Sequence, residues 1–223
     1  HAQGNLLDHK LIDFFPSINE VNRGYEIQCD NQGNFLVLGH REGKHWSNDT
    51  SSLPEQGFHV FKFDQNFSIA WSKFVISSAC YYGYSCGDLS VDQTGNSYVS
   101  SYCSYKYGGS GLLRKFDVNG NATWTLSSSN AVYKSTPVND ELFVVGTDEA
   151  YVCPCPESHS GYEVVKKLDH TYSVKGETRM RHIYVNCPAV YSNGFIYIAG
   201  TFDGQGAFIG KDTLKTNSNF GSF

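Results

Sequence analysis

The chain has 223 residues, a formal net charge of −5 and only 17% charged residues. This charge balance argues against nucleic-acid binding, which needs a basic face to neutralise phosphates. No apolar run is long enough to span a bilayer, so the sequence predicts no membrane insertion. The chain holds 22 Gly, 15 Tyr and 15 Phe but one Met, which favours short strands and turns over helices.

In chain order, the sequence predicts an N-terminal strand and then four similar units within one domain, 1–223. The segment 1–23 is expected to supply a single strand. Each unit contains a near-continuous apolar or aromatic strand, which predicts a sheet buried on both faces. The repeat units span about 24–75, 86–128, 132–178 and 185–216.

Hairpin turns of the form D-x-x-G-N occur three times. The Asp side chain can accept a hydrogen bond from the backbone two residues on, and Gly three positions later tolerates a left-handed conformation. Strand-like residues lie on both sides of each turn. The three turns are 30–34, 92–96 and 117–121.

A second motif, K-F-D followed by Trp, repeats with the same period. The interval from Asp to Trp is equal in Asp64–Trp71 and Asp117–Trp124. In the third copy, which starts at Asp169, Gly176 takes the place of Trp, and 208–212 is a degenerate fourth copy. Successive Asp positions lie 53, 52 and 43 residues apart, the span of one four-stranded propeller blade. We therefore expect an all-β fold, a β-propeller of about four to five four-stranded blades.

On these turns and their spacing, residues 24 to 215 resemble secreted β-propeller repeat proteins of the quinoprotein-like and bacterial propeller-repeat class. The resemblance implies the propeller fold and extracellular location. A more general similarity links the Tyr-rich, Cys-rich character to propeller modules of extracellular filaments such as flagellar hairs. Neither resemblance implies an activity.

Long inter-strand loops are predicted at 40–50, 79–87, 102–111 and 147–161, clustered on one rim. Several of the seven cysteines lie in or beside them, which favours an oxidising, extracellular location and loops stapled by disulfides. Because seven is odd, at least one thiol is free or pairs with another chain. The pairing is left open among Cys29, Cys80, Cys86, Cys103, Cys153, Cys155 and Cys187.

Three N-x-S/T sequons predict glycans if the protein is secreted by a eukaryote, at Asn48, Asn66 and Asn121. The segment 117–121 has oxygen ligands at alternate positions but lacks the acidic count of a calcium loop, so it is interpreted as a plain turn. Cys153-Pro154-Cys155 is interpreted as part of loop disulfides rather than a zinc site. No metal or cofactor is predicted.

The densest polar cluster combines His40, His45 and His59 with Glu42 and Trp46. It could line a sugar or metal site, although a solvated loop is the preferred interpretation. No nucleophile–base motif is present, so no catalytic residue is predicted. The possible binding rim is His40, His45, Trp46, Tyr81, Tyr82 and Tyr84.

The favoured function is a non-enzymatic, extracellular structural or adhesive module that self-associates or contacts other extracellular proteins. Tyr-, Gly- and Ser-rich loops can present flat aromatic surface to such partners. The alternative is a monomeric, lectin-like propeller that binds carbohydrate or protein. A propeller-fold hydrolase or lyase is the lesser alternative.

Overall fold

The computed structural model describes residues 21–42, 57–76, 85–105, 108–128, 132–147, 162–181, 183–185, 190–192, 195–202 and 207–212. These residues form antiparallel strands and tight turns, with no helix among them, so the all-β expectation is confirmed. The strands are β1 (Val21–Cys29), β2 (Phe35–Glu42), β3 (Gly57–Phe63), β4 (Ile69–Ile76), β5 (Ser85–Val91), β6 (Ser97–Tyr105), β7 (Gly108–Phe116), β8 (Ala122–Ser128), β9 (Val132–Val138), β10 (Glu141–Thr147), β11 (Tyr162–Leu168), β12 (Val174–Arg181), β13 (Ile183–Val185), β14 (Val190–Ser192), β15 (Phe195–Phe202) and β16 (Ala207–Asp212).

The strands are grouped into sheets in chain order. The first three sheets contain β1 to β4, β5 to β8 and β9 to β12, each with every strand beside its neighbour in sequence. In the last sheet, β15 pairs with β16 and, over two separate stretches, with β13 and β14. Each of the first three sheets is thus a four-stranded antiparallel meander.

Five hairpin turns share one geometry, a type I turn followed by a residue in the left-handed region. In each turn the carbonyl of the opening Asp accepts the N–H of the fourth residue, and the Asp N–H donates to the carbonyl of the fifth. Its Oδ1 also accepts the N–H groups of the third and fifth residues at 2.8–3.0 Å. The three turns predicted from D-x-x-G-N are among them. The turns open at Asp30, Asp64, Asp92, Asp117 and Asp169.

Two of these turns place an aromatic residue where the others have Gly. Phe67 and Tyr172 adopt φ values of +60° and +62°. A side chain in this region costs about 1–2 kcal/mol, and ring packing offsets that cost. The Phe67 ring lies 5.0 Å from that of Phe35, and Tyr172 stacks on Trp124 at 4.0 Å.

Strand directions place all five Asp turns at one end of the sheets, here called the turn end. The connections between β2 and β3 and between β10 and β11 leave from the opposite end, as the predicted loop rim requires. The predicted long loop at 102–111 is wrong. β6 and β7 pair as far as Tyr105 opposite Gly108, because Ser and Gly residues continue both strands.

Tryptophan joins each of the first two sheets to the sheet that follows. Trp71 packs so closely on Gly120 that a Cβ there would lie 2.7 Å from the indole, and its Nε1 donates to the Val118 carbonyl at 3.0 Å. Trp124 makes the equivalent joint through Tyr172. Strand register puts Gly176 at the same position in the third sheet, as the motif alignment predicted.

Apolar side chains fill the spaces between these sheets. The core between the first and second sheets includes Leu36, Phe58, Val60, Leu89 and Val99, all at most 1% exposed. A second cluster between the second and third sheets contains Tyr98, Leu113, Leu142, Val144 and Leu168.

Two carboxylates, one partly and one fully buried, connect the first strands of successive sheets. Glu26 Oε2 in β1 accepts the N–H of Leu89 in β5 at 2.9 Å. Asp88 Oδ2 in β5 accepts the N–H of Ser135 in β9 at the same distance. Each carboxylate therefore satisfies an edge N–H that the next sheet would otherwise leave unpaired.

Candidate binding cleft

A cleft of about 410 Å³ lies at the turn end, between the second and third sheets. The second sheet contributes the turn that opens at Asp92, together with Tyr98 and Lys115. The third sheet contributes residues 139–142 together with Asp169, His170 and Tyr172. A volume of this size is within the range of small-molecule sites.

Tyr98 forms the inner part of the cleft and is 5% exposed. Its hydroxyl donates to Asp92 Oδ2 at 3.2 Å. Burial, reinforced by the neighbouring Asp92 carboxylate, holds the pKa of Tyr98 well above its ordinary value. Lys115 Nζ lies 5.3 Å from the centre of the Tyr98 ring and 5.7 Å from that of Tyr172, within cation–π range.

Asp92 is saturated with hydrogen bonds. Its Oδ1 accepts the N–H and the hydroxyl of Thr94 and the N–H of Asn96, while Oδ2 accepts the Asn96 amide as well as the Tyr98 hydroxyl. Burial alone would raise the pKa of Asp92, but the hydrogen bonds from Asn96 and Thr94 outweigh it and lower the pKa. Neither this carboxylate nor the protonated phenol is therefore poised to act as a general base.

Two further carboxylates at the rim are paired with lysines. Lys167 Nζ lies 2.7 Å from Glu141 Oε1, and Lys175 Nζ lies 2.9 Å from Asp169 Oδ2. Hydrogen bonds, led by that of the Thr171 hydroxyl, lower the pKa of Asp169. The cleft thus offers one ammonium group beside tyrosine rings, surrounded by a rim of carboxylates.

Of the histidines in the predicted polar cluster, the two that the structure describes are separated by the sheet. His40 lies within β2, 5% exposed, with its ring 4.9 Å from that of Phe58, its partner in β3. His59 pairs with Gly39 and stacks on Phe61 at 4.2 Å. Because neighbouring positions face opposite sides of a strand, the two imidazoles are on opposite faces. Burial lowers the pKa of His59.

The two described sequons differ in what the asparagine amide does. Asn121 Nδ2 donates to Asp117 Oδ2 at 2.9 Å, so the turn itself uses this amide. Asn66 is exposed in the turn that opens at Asp64, where its backbone N–H, rather than its amide, bonds to the Asp. The Asp117 carboxylate accepts N–H groups of its own turn.

Other predicted site residues are described only in part. Cys29 is exposed at the end of β1 and is not in a disulfide. Cys86 and Cys103 lie in β5 and β6, where the backbone register places them opposite Tyr102 and Ser85. Outside the described residues lie Cys80, Cys153, Cys155, Cys187, His45, Trp46, Asn48, Tyr81, Tyr82 and Tyr84.

Sequence reasoning missed the buried charges. Asp88 is 1% exposed and pairs with Lys134 at 2.8 Å. Burial raises its pKa to about 6, although the hydrogen bonds from Lys134 and Ser135 lower it. In the sequence, Asp88 is marked only by its position four residues before the turn residue Asp92, the same spacing that Glu26 has before Asp30.

The cleft was not predicted from the sequence because its residues come from two different repeats.

In the part of the chain that the structure describes, no three His, Cys, Asp or Glu side chains are arranged to hold a metal ion. No helix in that part is long and apolar enough to cross a membrane.

No family model and no curated protein matches the chain. Among solved structures, the chain is similar to a proposed hydrolase from Bacteroides ovatus, at 12% identity and a TM-score of 0.39. That match covers 82% of this chain and 54% of the other, so the chain spans about half the length of that protein. BamB from Moraxella catarrhalis matches at 12% identity and a TM-score of 0.35, over 86% of this chain and 72% of BamB. At these TM-scores neither likeness carries an argument about function.

Proposed function

We propose that this chain is a β-propeller module of the cell exterior that acts as a non-enzymatic structural or adhesive subunit and self-associates. The propeller arrangement is supported by the order of the sheets. Successive four-stranded meanders contact one another through their first strands, and tryptophan joints link neighbouring sheets near their outer strands. Loop disulfides and glycans belong to the same proposal.

We infer self-association from β8, the strand at the outer edge of the second sheet. In the described residues β8 pairs only with β7, so its other edge presents free backbone groups. The sequence of β8 is A-T-W-T-L-S-S, which contains no charge, and Thr123 and Thr125 are exposed. An uncharged, exposed edge strand is a template for pairing with another chain.

The other outer strands are protected by charge. β4 carries Lys73, and β12 carries Lys175, Glu177 and Arg179. Charges on an edge strand oppose pairing because they would be desolvated in the joint sheet. The partner best suited to β8 is therefore β8 of a second copy, since antiparallel pairing of one strand with itself gives a two-fold dimer.

A charge placed on β8 tests this proposal. Thr125→Glu should abolish self-association, while the new carboxylate lies opposite Arg114, which already donates to the Thr125 hydroxyl at 3.3 Å. Ser72→Glu is the matched control, because Ser72 follows Trp71 in β4 as Thr125 follows Trp124 in β8. Sedimentation velocity of the full chain should show a dimer or larger species for the parent and for the control, but only monomers for Thr125→Glu. Monomers throughout, or unchanged association of Thr125→Glu, would contradict the proposal.

A monomeric, carbohydrate-binding module is the second candidate. It is favoured by one observation, the cleft between the second and third sheets. Binding of a saccharide by a monodisperse monomer would support it over the first.

A further inference from the structure

We propose that the cleft between the second and third sheets binds a saccharide that carries one carboxylate, with Lys115 as the residue that holds the acid group. This inference deepens the second candidate function. It does not depend on pairing through β8, so either proposal can fail without the other.

Lys115 has an equivalent lysine in the first sheet and in the third. Each of the first three sheets has a lysine one residue before the end of its third strand, opposite the position of Trp71, Trp124 or Gly176. In the first sheet, Lys62 pairs with Asp30 at 2.9 Å, and in the third, Lys167 pairs with Glu141 at 2.7 Å. Lys115 forms no ion pair with a carboxylate of the residues that the structure describes.

Lys115 differs from these two lysines because Tyr98 already bonds to the carboxylate that would pair with it. Its expected partner is Asp92, which stands where Asp30 stands in the first sheet. Tyr98 intervenes, because its hydroxyl donates to the Asp92 carboxylate that a lysine would otherwise neutralise. The equivalent residues are Leu36 in the first sheet and Phe143 in the third, as their pairing with Lys62 and Lys167 shows. Neither has a hydroxyl.

Lys115 keeps its charge and its N–H donors available to a ligand. The ammonium group lies beside the rings of Tyr98 and Tyr172, and cation–π contacts stabilise its charge without using its N–H donors. Its side chain is half-buried and lines the cleft. A ligand carboxylate could therefore accept charge-assisted hydrogen bonds from it.

The rim determines the class of ligand. The carboxylates of Asp92, Asp140, Glu141 and Asp169 outnumber the ammonium groups of Lys115, Lys167 and Lys175 beside them, so the cleft lacks the excess positive charge that a polyanion such as a polyphosphate requires. The same oxygens, with the amides of Gln93 and Asn139, can accept hydrogen bonds from hydroxyl groups. A ligand with one carboxylate facing Lys115 and several hydroxyl groups facing the rim would fit this cleft. A uronic-acid sugar has both features.

Calorimetric titration of the full chain with three probes tests the inference. Glucuronate carries both features, glucose lacks the carboxylate and acetate lacks the hydroxyls. Glucuronate should bind at least about tenfold more tightly than either, a difference of about 1.4 kcal/mol. Equal binding of glucuronate and glucose, or no glucuronate binding at about 10 mM, would overturn the inference.

Variants assign the effect to Lys115. Lys115→Met should remove the preference for glucuronate, and Lys73→Met, on β4 in the first sheet, should leave it unchanged. Tyr98→Phe provides a second variant, because without the hydroxyl Lys115 can pair with Asp92 as Lys62 does with Asp30. Its glucuronate affinity should also fall about tenfold. A preference retained by both cleft variants would overturn the role of Lys115.

Discussion

Lys62 Nζ lies 2.9 Å from Asp30 Oδ2, and the two side chains are only 5% and 1% exposed. The pair joins the first turn of the first sheet to its third strand. Burial would raise the pKa of Asp30, but hydrogen bonds from Asn34 and Lys62 outweigh it and lower the pKa. The same Asp therefore opens the turn and neutralises a buried lysine.

Removing the Asp30 charge should cost much more than removing the same charge from an exposed turn. Asp30→Asn leaves the buried Lys62 ammonium without its counter-ion and should lower the free energy of unfolding by about 3–5 kcal/mol. Asp117→Asn, in a turn of the same geometry, should cost far less. Urea denaturation checks both. The double variant Asp30→Asn with Lys62→Met should recover part of the loss, and equal losses for the two single variants would contradict the account.

The tryptophan joint should be a major source of stability between sheets. Trp124→Ala removes the ring that stacks on Tyr172 at 4.0 Å and should lower the free energy of unfolding by about 3 kcal/mol. Trp124→Phe keeps a ring there and serves as the control, with an expected loss of about 1 kcal/mol. Thermal and urea unfolding measure both. An alanine variant as stable as the parent would show that the sheets are held together elsewhere.

The left-handed turn position should tolerate Gly better than Ala. Gly95 has a φ of +83°, so Gly95→Ala should destabilise the protein by about 1–2 kcal/mol. Gln93→Ala, in the same turn, changes an exposed side chain and should stay within about 0.5 kcal/mol of the parent. Equal unfolding midpoints for the two variants would refute the assigned turn geometry.

Asp88 should make part of the stability depend on pH. Its folded-state pKa of about 6 lies above its ordinary value of 3.8, so the folded protein binds this proton more tightly than the unfolded chain. The resulting stability is complete below about 3.8 and is lost as the pH rises through about 6. Relative to Asp88→Asn, the parent should therefore lose stability between pH 4 and pH 7, taken as roughly the window of the two pKa values.

Asp117 supplies the control of opposite sign. Hydrogen bonds from Asn121 lower its pKa, so its contribution is present above its ordinary pKa and is lost as the pH falls. Urea midpoints measured from about pH 2 to about pH 7 give both profiles, because the Asp117 contribution changes only below its ordinary pKa of 3.8. The same slope for the parent and Asp88→Asn would exclude the assigned role of Asp88.

Glycan occupancy should differ between the two described sequons. When the chain is secreted from eukaryotic cells, Asn66 should be modified more completely than Asn121, because the turn holds the Asn121 amide in a hydrogen bond to Asp117. Peptide mass spectrometry measures the occupancy of each. Ser68→Ala and Thr123→Ala are the matched sequon controls. Modification of Asn121 with Asn66 unmodified would reverse this expectation.

The repeated turns and strands could be predicted from the sequence because their chemistry is local. Asp30, Asp92 and Asp117 each precede Gly by three residues, and Lys-Phe-Asp motifs mark where third strands end. The turn with Phe67 in the left-handed position is less obvious, since packing against Phe35 replaces the freedom of Gly. The two-residue turn at Asn139, with a φ of +53°, lacked the motif and was not foreseen.

The candidate cleft could not be predicted because it depends on contacts between repeats. Tyr98 and Lys115 are far apart in sequence from Asp169 and Tyr172, and only sheet packing brings them to one place. Similarly, His40 and His59 are close to each other in the sequence cluster, yet one step of strand register puts them on opposite faces.

Electron microscopy of the native, unreduced protein tests the central claim most directly. A self-associating structural module predicts ordered two-fold dimers in which two copies meet through β8. Dispersed single particles of 24.8 kDa, with or without glycan, would contradict it and leave the cleft as the functional surface.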